Sequence, residues 1–247
     1  MGRPPLTRTI AGLFAAGALA AALGACGTDS VPQDADLIAG KKAFVKSCGS
    51  CHVLSRAGTK GNTGPSLDDA FRVSLSEGFG RDTVRGIVHS QILHPARLQK
   101  SSKVYMPAKL VDGKLAQDVA AYVASVAALP GKDTGRLGSA VAAAGAGKPI
   151  AAKGGKLTIP ADPNGQLAYV TKVATAPTGS LEIDSKNASG TPHNIALEGP
   201  GVDEKGAVVQ SGGVSKVTAD LKPGSYSYYC SVPGHREGGM EGKLTVK

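Results

Sequence analysis

The sequence predicts two domains of different class, an all-α domain followed by an all-β Greek-key sandwich, and three observations carry this reading. The chain has 247 residues, enough for two compact units that each bury a core. The apolar period changes from helical to alternating near Lys156. Between these two patterns, in residues 131–155, Gly and Ala account for 14 of 25 positions, a composition that favours a flexible connector. Aromatic residues make up only 4% and Trp is absent, so both cores must rest largely on Val, Leu, Ile and Ala.

The N-terminus has Arg3 and Arg8 and then an apolar run from Ile10 to Ala25. That is the layout of a secretory signal, and the run is too short for a membrane span. It ends in Leu23-Gly24-Ala25-Cys26, which resembles a bacterial lipobox. The resemblance implies residues 1–25 as a lipoprotein signal peptide, acylation of the Cys26 thiol, and residues 26–36 as a polar tether. An ordinary signal cut nearby, leaving a free cysteine, is the alternative. Either way the chain is expected to be exported; with acylation it would be lipid-anchored at the outer face of the bacterial cytoplasmic membrane or in the periplasm.

The formal charge is +9, from 28 basic and 19 acidic residues. Removing residues 1–25, with two Arg and no acid, leaves +7. The excess is scattered and carries few aromatics between its members, which favours a solvated surface or an acidic protein partner over a nucleic-acid groove; no nucleic acid is expected as a partner. Four cysteines in an exported chain would ordinarily suggest two disulfides, but each of the four lies in a motif with another use.

Residues 37–130 are expected to be helical. Gly40 and Phe44 lie four apart on one segment, and Val119, Tyr122, Val123 and Val126 follow i, i+3, i+4, i+7 on another, so two helices can cross at Gly40. Between them stands Cys48-Gly49-Ser50-Cys51-His52, a C-x-x-C-H run. Its two thiols can form thioether bonds to haem vinyl groups while the adjacent His ligates the iron. A structural C-x-x-C or a zinc half-site is the bland reading, but no second C-x-x-C or H-x-x-x-H completes a tetrahedral zinc shell.

On this motif the segment resembles a class I c-type cytochrome. The resemblance implies one covalent haem c on Cys48, Cys51 and His52. It also implies that the carbonyl of Pro65, in Gly64-Pro65, accepts the proximal imidazole's N–H, and that Met106, in Met106-Pro107, is the sixth ligand. His89 and His94 compete with Met106 for that position. Met/His ligation closes the iron and raises its potential, which suits electron transfer.

Residues 131–155 form the Gly/Ala-rich linker; a free coil of that length would reach roughly 25–30 Å, and a short helix at Ala140–Ala144 is the alternative. Residues 156–247 alternate apolar and polar positions at Leu157/Ile159, Leu181/Ile183, Tyr226/Tyr228/Cys230 and Leu244/Val246. Turn residues punctuate them, as in an antiparallel sandwich of about seven or eight strands. Cys230-Ser231-Val232-Pro233-Gly234-His235 runs on to Met240 as C-x4-H-x4-M, so a strand end and a tight loop can gather thiolate, imidazole and thioether. A blue copper site needs a second His from elsewhere, and Thr191-Pro192-His193-Asn194 offers one.

This region resembles a cupredoxin of the auracyanin and rusticyanin type, whose loop has the same spacing; plastocyanins have a shorter Cys-to-His step. The resemblance implies one type 1 copper with His193, Cys230 and His235 as strong ligands and Met240 as the axial one. It further implies Asn194 beside them, with its backbone N–H directed at the Cys230 sulfur. Zinc could occupy the same donors in vitro.

Together the two resemblances imply a non-enzymatic carrier that passes single electrons between haem and copper. Its partners would be exported respiratory proteins, a quinol-oxidising complex and a terminal oxidase or reductase by analogy, with the membrane reached through the lipid. The alternative is a redox subunit of a larger enzyme such as a nitrite reductase or terminal oxidase. Against it, only His89 and His94 remain to build a further copper centre, and a binuclear copper would need a second cysteine. Copper storage is weaker, since one buried site stores little.

Overall fold

The computed structural model describes residues 1–2, 34–96 and 105–247. The signal-like segment and Cys26 lie outside the described residues. Two separate clusters of buried apolar side chains organise the rest, one drawn from Ala43 to Ala127 and one from Leu157 to Val246.

The first cluster sits among four helices, α1 (Leu37–Ser47), α2 (Leu67–Ser76), α3 (Arg81–Leu93) and α4 (Gly113–Val126). The Asp36 carboxylate caps α1 by accepting from the backbone N–H groups of Ile38 and Ala39, both at 2.9 Å, satisfying two donors that the first turn leaves free. Helices α1 and α4 cross at Gly40. A Cβ there would lie 2.2 Å from the Asp118 carbonyl oxygen, so only glycine permits the approach, and it brings the Phe44 and Tyr122 rings to 6.3 Å.

The all-α expectation needs one correction. Directly after the C-x-x-C-H run, β1 (Val53–Leu54) and β2 (Thr59–Lys60) form a small antiparallel ladder around a 3-10 turn at Ser55–Ala57. Gly58, at φ +75°, closes the turn, and the Thr59 hydroxyl donates to the His52 carbonyl at 2.9 Å. Four residues of strand carry no readable period, and local turn chemistry decides them.

The second cluster fills a sandwich. One sheet has six strands in the order β3 (Ile150–Ala151), β5 (Val173–Ala176), β11 (Glu241–Val246), β10 (Gly224–Tyr229), β7 (Ala196–Gly199), β8 (Val202–Lys205). The other has three, β4 (Lys156–Thr158), β6 (Gly179–Lys186) and β9 (Val214–Leu221). Alternation along β6 buries Leu181, Ile183 and Ser185, as one inward face requires. The expected purely antiparallel pairing is corrected at three places: β3–β5, β5–β11 and β4–β6 are parallel. Strands that cross between the two sheets can return in either sense, which period-two patterning does not encode.

The connector differs from a free coil. It carries a one-turn helix, α5 (Gly135–Gly138), as well as β3. Leu137 and Val141 pack on the first cluster, and Ile150 and Ala152 on the second. Asp133 accepts from the Tyr122 hydroxyl at 2.7 Å and pairs with Lys41 at 3.0 Å. Composition predicts flexibility, but a few apolar side chains and one buried carboxylate suffice to pin so short a segment. Among the described residues no helix is long and apolar enough to cross a membrane.

Candidate metal centres

Cys48 caps α1, its backbone N–H donating to the Phe44 carbonyl. The next turn brings the N–H groups of Cys51 and His52 back to the Cys48 carbonyl at 3.1 and 3.0 Å. The motif is therefore a tight continuation of the helix, wrapped by residues 58–64. Gly61 and Gly64 lie so close that a Cβ on Gly61 would fall 2.3 Å from the Ser50 carbonyl carbon, and one on Gly64 2.5 Å from His52 Cε1. The ring is thus seated against bare backbone. Nδ1 of His52 lies 2.8 Å from the Pro65 carbonyl oxygen. A carbonyl only accepts, so the proton sits on Nδ1 and the Nε2 lone pair is left for a ligand.

A cavity of about 490 Å³ opens beside this ring, lined by Cys48, Cys51, His52, Pro65 and Met106 among others. Apolar side chains of α1, α2, α3 and α4 complete it. Ile87 and Leu110 line it while 52% and 44% exposed, large apolar groups that a bound ring system would cover. Burial, with the neighbouring Cys51 thiol, pushes the Cys48 thiol up to about 12. His89 lies in a different, smaller cleft with Arg85 and Lys114, and His94, at the C-terminal end of α3, does not line the cavity. Of the three contenders for the sixth position, Met106 alone is at the cavity wall. The donors and the space fit a covalently held haem.

The second centre forms where β10 ends. Tyr229 pairs with Glu241 across the β10–β11 hairpin and with Ala196 on β7, so Cys230 stands next to the segment leading into β7, which carries His193. The intervening loop closes on itself: Met240 N–H donates to the His235 carbonyl at 2.9 Å and Cys230 N–H to the Met240 carbonyl at 3.1 Å. His193, Cys230 and His235 converge. The two imidazole Nδ1 atoms are 3.1 Å apart, and the Cys230 sulfur lies 3.5 Å from that of His235 and 3.9 Å from that of His193.

Bonds of about 2.0 Å to nitrogen and 2.3 Å to sulfur around a trigonal ion would separate such atoms by roughly 3.5–3.7 Å, so the triangle is already sized for one. All three residues are buried, as is Met240. Burial lowers His193 to about 3, helped by the neighbouring His235, and lowers His235 to about 4, partly opposed by Glu237. Both imidazoles are neutral ligands at ordinary pH. Burial raises the Cys230 thiol, while backbone hydrogen bonds from Asn194 and Val232 oppose the rise, placing the Asn194 N–H at the sulfur. Among the described residues, the His193 Nε2 is buried with no hydrogen-bond partner. Three convergent soft and borderline donors fit copper.

The Asn194 side chain does more than the sequence discloses. Its amide N–H donates to the Gly206 carbonyl at 2.8 Å and the Ser231 hydroxyl at 2.9 Å, and its oxygen accepts from Ser231 N–H at 2.8 Å. It ties the His193 segment to the Cys230 segment. Tyr169 adds a hydroxyl bond to the Asn194 carbonyl at 2.7 Å. Asn187, Ser189 and Thr191 form a further knot, with the Asn187 amide and the Ser189 hydroxyl both donating to the Thr191 carbonyl. The Asn-x-Ser-x-Thr run ahead of His193 is the one sequence signal that could have disclosed this turn.

Residues 157–247 match the family model of copper binding proteins of the plastocyanin/azurin family. Among solved structures, the chain is similar to dithionite-reduced auracyanin of the photosynthetic bacterium Roseiflexus castenholzii at 25% identity, over 39% of this chain and 99% of that one, with a TM-score of 0.33. It is similar also to auracyanin A, a blue copper protein of the green thermophilic photosynthetic bacterium Chloroflexus aurantiacus, at 22% identity over 40% and 100%, with a TM-score of 0.33. The C-terminal region is a cupredoxin domain. That family implies single-electron transfer at a copper centre, and not catalysis.

Proposed function

We propose that this chain is an exported, lipid-anchored electron carrier in which a haem-bearing cytochrome c domain and a type 1 copper domain pass single electrons between them. The observation that carries the reading is the coexistence of two differently built donor sets in one polypeptide. One is an imidazole with its Nε2 free beside two cysteines and a cavity walled by Met106. The other is a buried His193, Cys230, His235 triangle beside Met240.

Each bound metal would supply one-electron chemistry at a filled coordination shell. The residues do the rest. Cys48 and Cys51 would attach the haem, Pro65 fixes the His52 ring and tautomer, and Met106 would supply the sixth ligand. Asn194 and the loop hydrogen bonds hold the copper donors at nearly their bonded separations, so little rearrangement accompanies a change of charge. Cys26 acylation would hold the molecule at the outer face of the cytoplasmic membrane. There, membrane-bound redox proteins, a quinol-oxidising complex as donor and a terminal oxidase or reductase as acceptor, are the partners within reach.

Spectroelectrochemical titration of the purified holoprotein tests this. Expected are low-spin haem bands and a separate visible thiolate-to-copper charge-transfer band, each titrating as a one-electron couple. A missing copper band, or iron that takes carbon monoxide at once without displacing Met106, overturns it.

A further inference from the structure

The haem-attachment turn and the copper-ligand loops touch. The Thr191 hydroxyl donates to the Ser50 hydroxyl at 3.0 Å. Ser50 lies between Cys48 and Cys51, and Thr191 is two residues before His193. A second contact meets Gly234, the residue before His235: at φ +81°, a Cβ there would lie 2.5 Å from Asn62 Oδ1. A third joins Gly165, at φ +77°, to the Lys46 carbonyl oxygen, 2.5 Å from where a Cβ would stand. Both glycines are left-handed; Gly165 meets the backbone of the last turn of α1 and Gly234 the Asn62 side chain, so two segments of the sandwich lie directly against α1 and the loop that wraps the C-x-x-C-H turn.

The contacts are held from both sides. The Thr191 carbonyl is fixed by Asn187 and Ser189, and Ser50 is itself buried. The connector, pinned to α1 and α4 through Asp133, also reaches the sandwich, where the Gln166 side-chain amide donates to the Ala142 carbonyl at 2.9 Å. His235 is only 7% exposed.

We infer that the face of the copper site carrying Thr191 and Gly234 is a fixed internal docking surface whose partner is the chain's own haem-binding half. Ser50 and Thr191 then form the one hydrogen-bonded step in an otherwise covalent route from Cys51 to His193. This rests on the haem and copper reading above. The step is a single-electron exchange, ferrous iron with cupric copper giving ferric iron with cuprous copper, or the reverse, with no bond made or broken and no proton moved. External partners must accordingly use other surfaces of the molecule.

The experiment uses the full-length holoprotein and two variants. Asn62→Trp places a wedge against Gly234 from an exposed position outside both clusters of buried side chains; Thr191→Val removes only the hydroxyl. Amide hydrogen exchange over residues 49–51 and 191–193 reports docking, and absorption spectra report both metals. Expected for Asn62→Trp are unchanged haem and copper bands, faster exchange in both segments, and a fall in the internal electron-transfer rate of about tenfold or more, as a tethered encounter replaces a standing contact. Thr191→Val should slow transfer a few-fold with the copper band intact. Loss of either metal band in the wild type would sink the parent reading. Intact bands with exchange and rate unmoved in both variants would overturn the docking alone.

Discussion

The two metal sites reach their geometry by opposite routes. At the copper site the donor atoms already stand within 3.1–3.9 Å of one another, and strand pairing, a hairpin loop and the Asn194 side chain hold them there. At the proposed haem site, Cys48, Cys51, His52 and Met106 all line an open cavity of about 490 Å³. One site is finished by the fold and waits for an ion. The other is an open cavity, and under the proposed function its core would be completed by the haem.

The strongest test of that contrast is removal of each metal in turn. Filling the cavity with a bound ring system is worth on the order of 10 kcal/mol at the usual cost per unit of void volume, comparable to the whole stability of a small domain. Replacing Cys48 and Cys51 by Ala, so that no haem is attached, should therefore unfold the helical half. Far-ultraviolet circular dichroism should show loss of most helical signal while the copper band persists. Extraction of copper should lower the melting temperature of the sandwich without changing its strand content. Retention of full helicity without haem would erase the distinction.

Acid should sharpen it next. In the metal-free sandwich His193 and His235 are held near 3 and 4, below the ordinary 6.5. The unfolded chain thus takes up protons first, so the stability these residues allow is fully present above about pH 6.5 and is lost as the pH falls towards 4. Between pH 7 and 5 the melting temperature of the copper-free sandwich should fall by on the order of 10 °C. Calorimetry on the copper-loaded form should show a much flatter dependence, because the metal occupies the same lone pairs. Equal slopes in the two forms would place the burial elsewhere.

The candidate donors were more legible in the sequence than the residues packed around them, and of these donors His193, Cys230 and His235 converge in the fold. Cys48, Cys51 and His52 are contiguous, and Cys230, His235 and Met240 share one loop, because a local turn can present several ligands at once. Gly40 was legible because helix crossing needs a bare position beside an apolar stripe. The Ser50–Thr191 bond spans 141 residues, and the seat for Gly234 is made by Asn62. Such pairs leave no period in either segment. The pinned connector was hidden for a related reason: Gly and Ala report conformational freedom in isolation, whereas Asp133, Leu137 and Val141 act only once α1 and α4 are present to receive them. The parallel strand pairs are likewise set by the return of the chain between sheets, which alternation alone does not record.

Asn194 offers a smaller break in the comparison, within the preformed site itself. Asn194→Ala removes three side-chain hydrogen bonds and leaves the Ser231 N–H without its acceptor, a loss of about 2–4 kcal/mol. Chemical denaturation of the copper-free protein should show that loss with the haem bands unaffected. The loaded site should also release copper faster, since the two ligand-bearing segments are no longer stitched together. A variant as stable as the parent would mean that strand pairing alone positions the donors.

The smallest effect is expected at Met240. It is fully buried, and Leu fills nearly the same volume, so Met240→Leu should cost less than about 1.5 kcal/mol. The thiolate-to-copper band depends on Cys230 and the two imidazoles and should survive. What changes is the balance between oxidation states: a thioether donates weakly to the more charged ion, and its loss disfavours the cupric form, so the potential should rise. Redox titration of the copper band beside the haem band in the same sample measures this with an internal standard, because Met106 and its cavity are untouched. A haem potential that moved as far as the copper potential would show that the docked faces transmit the change in the copper's axial ligand to the iron as well.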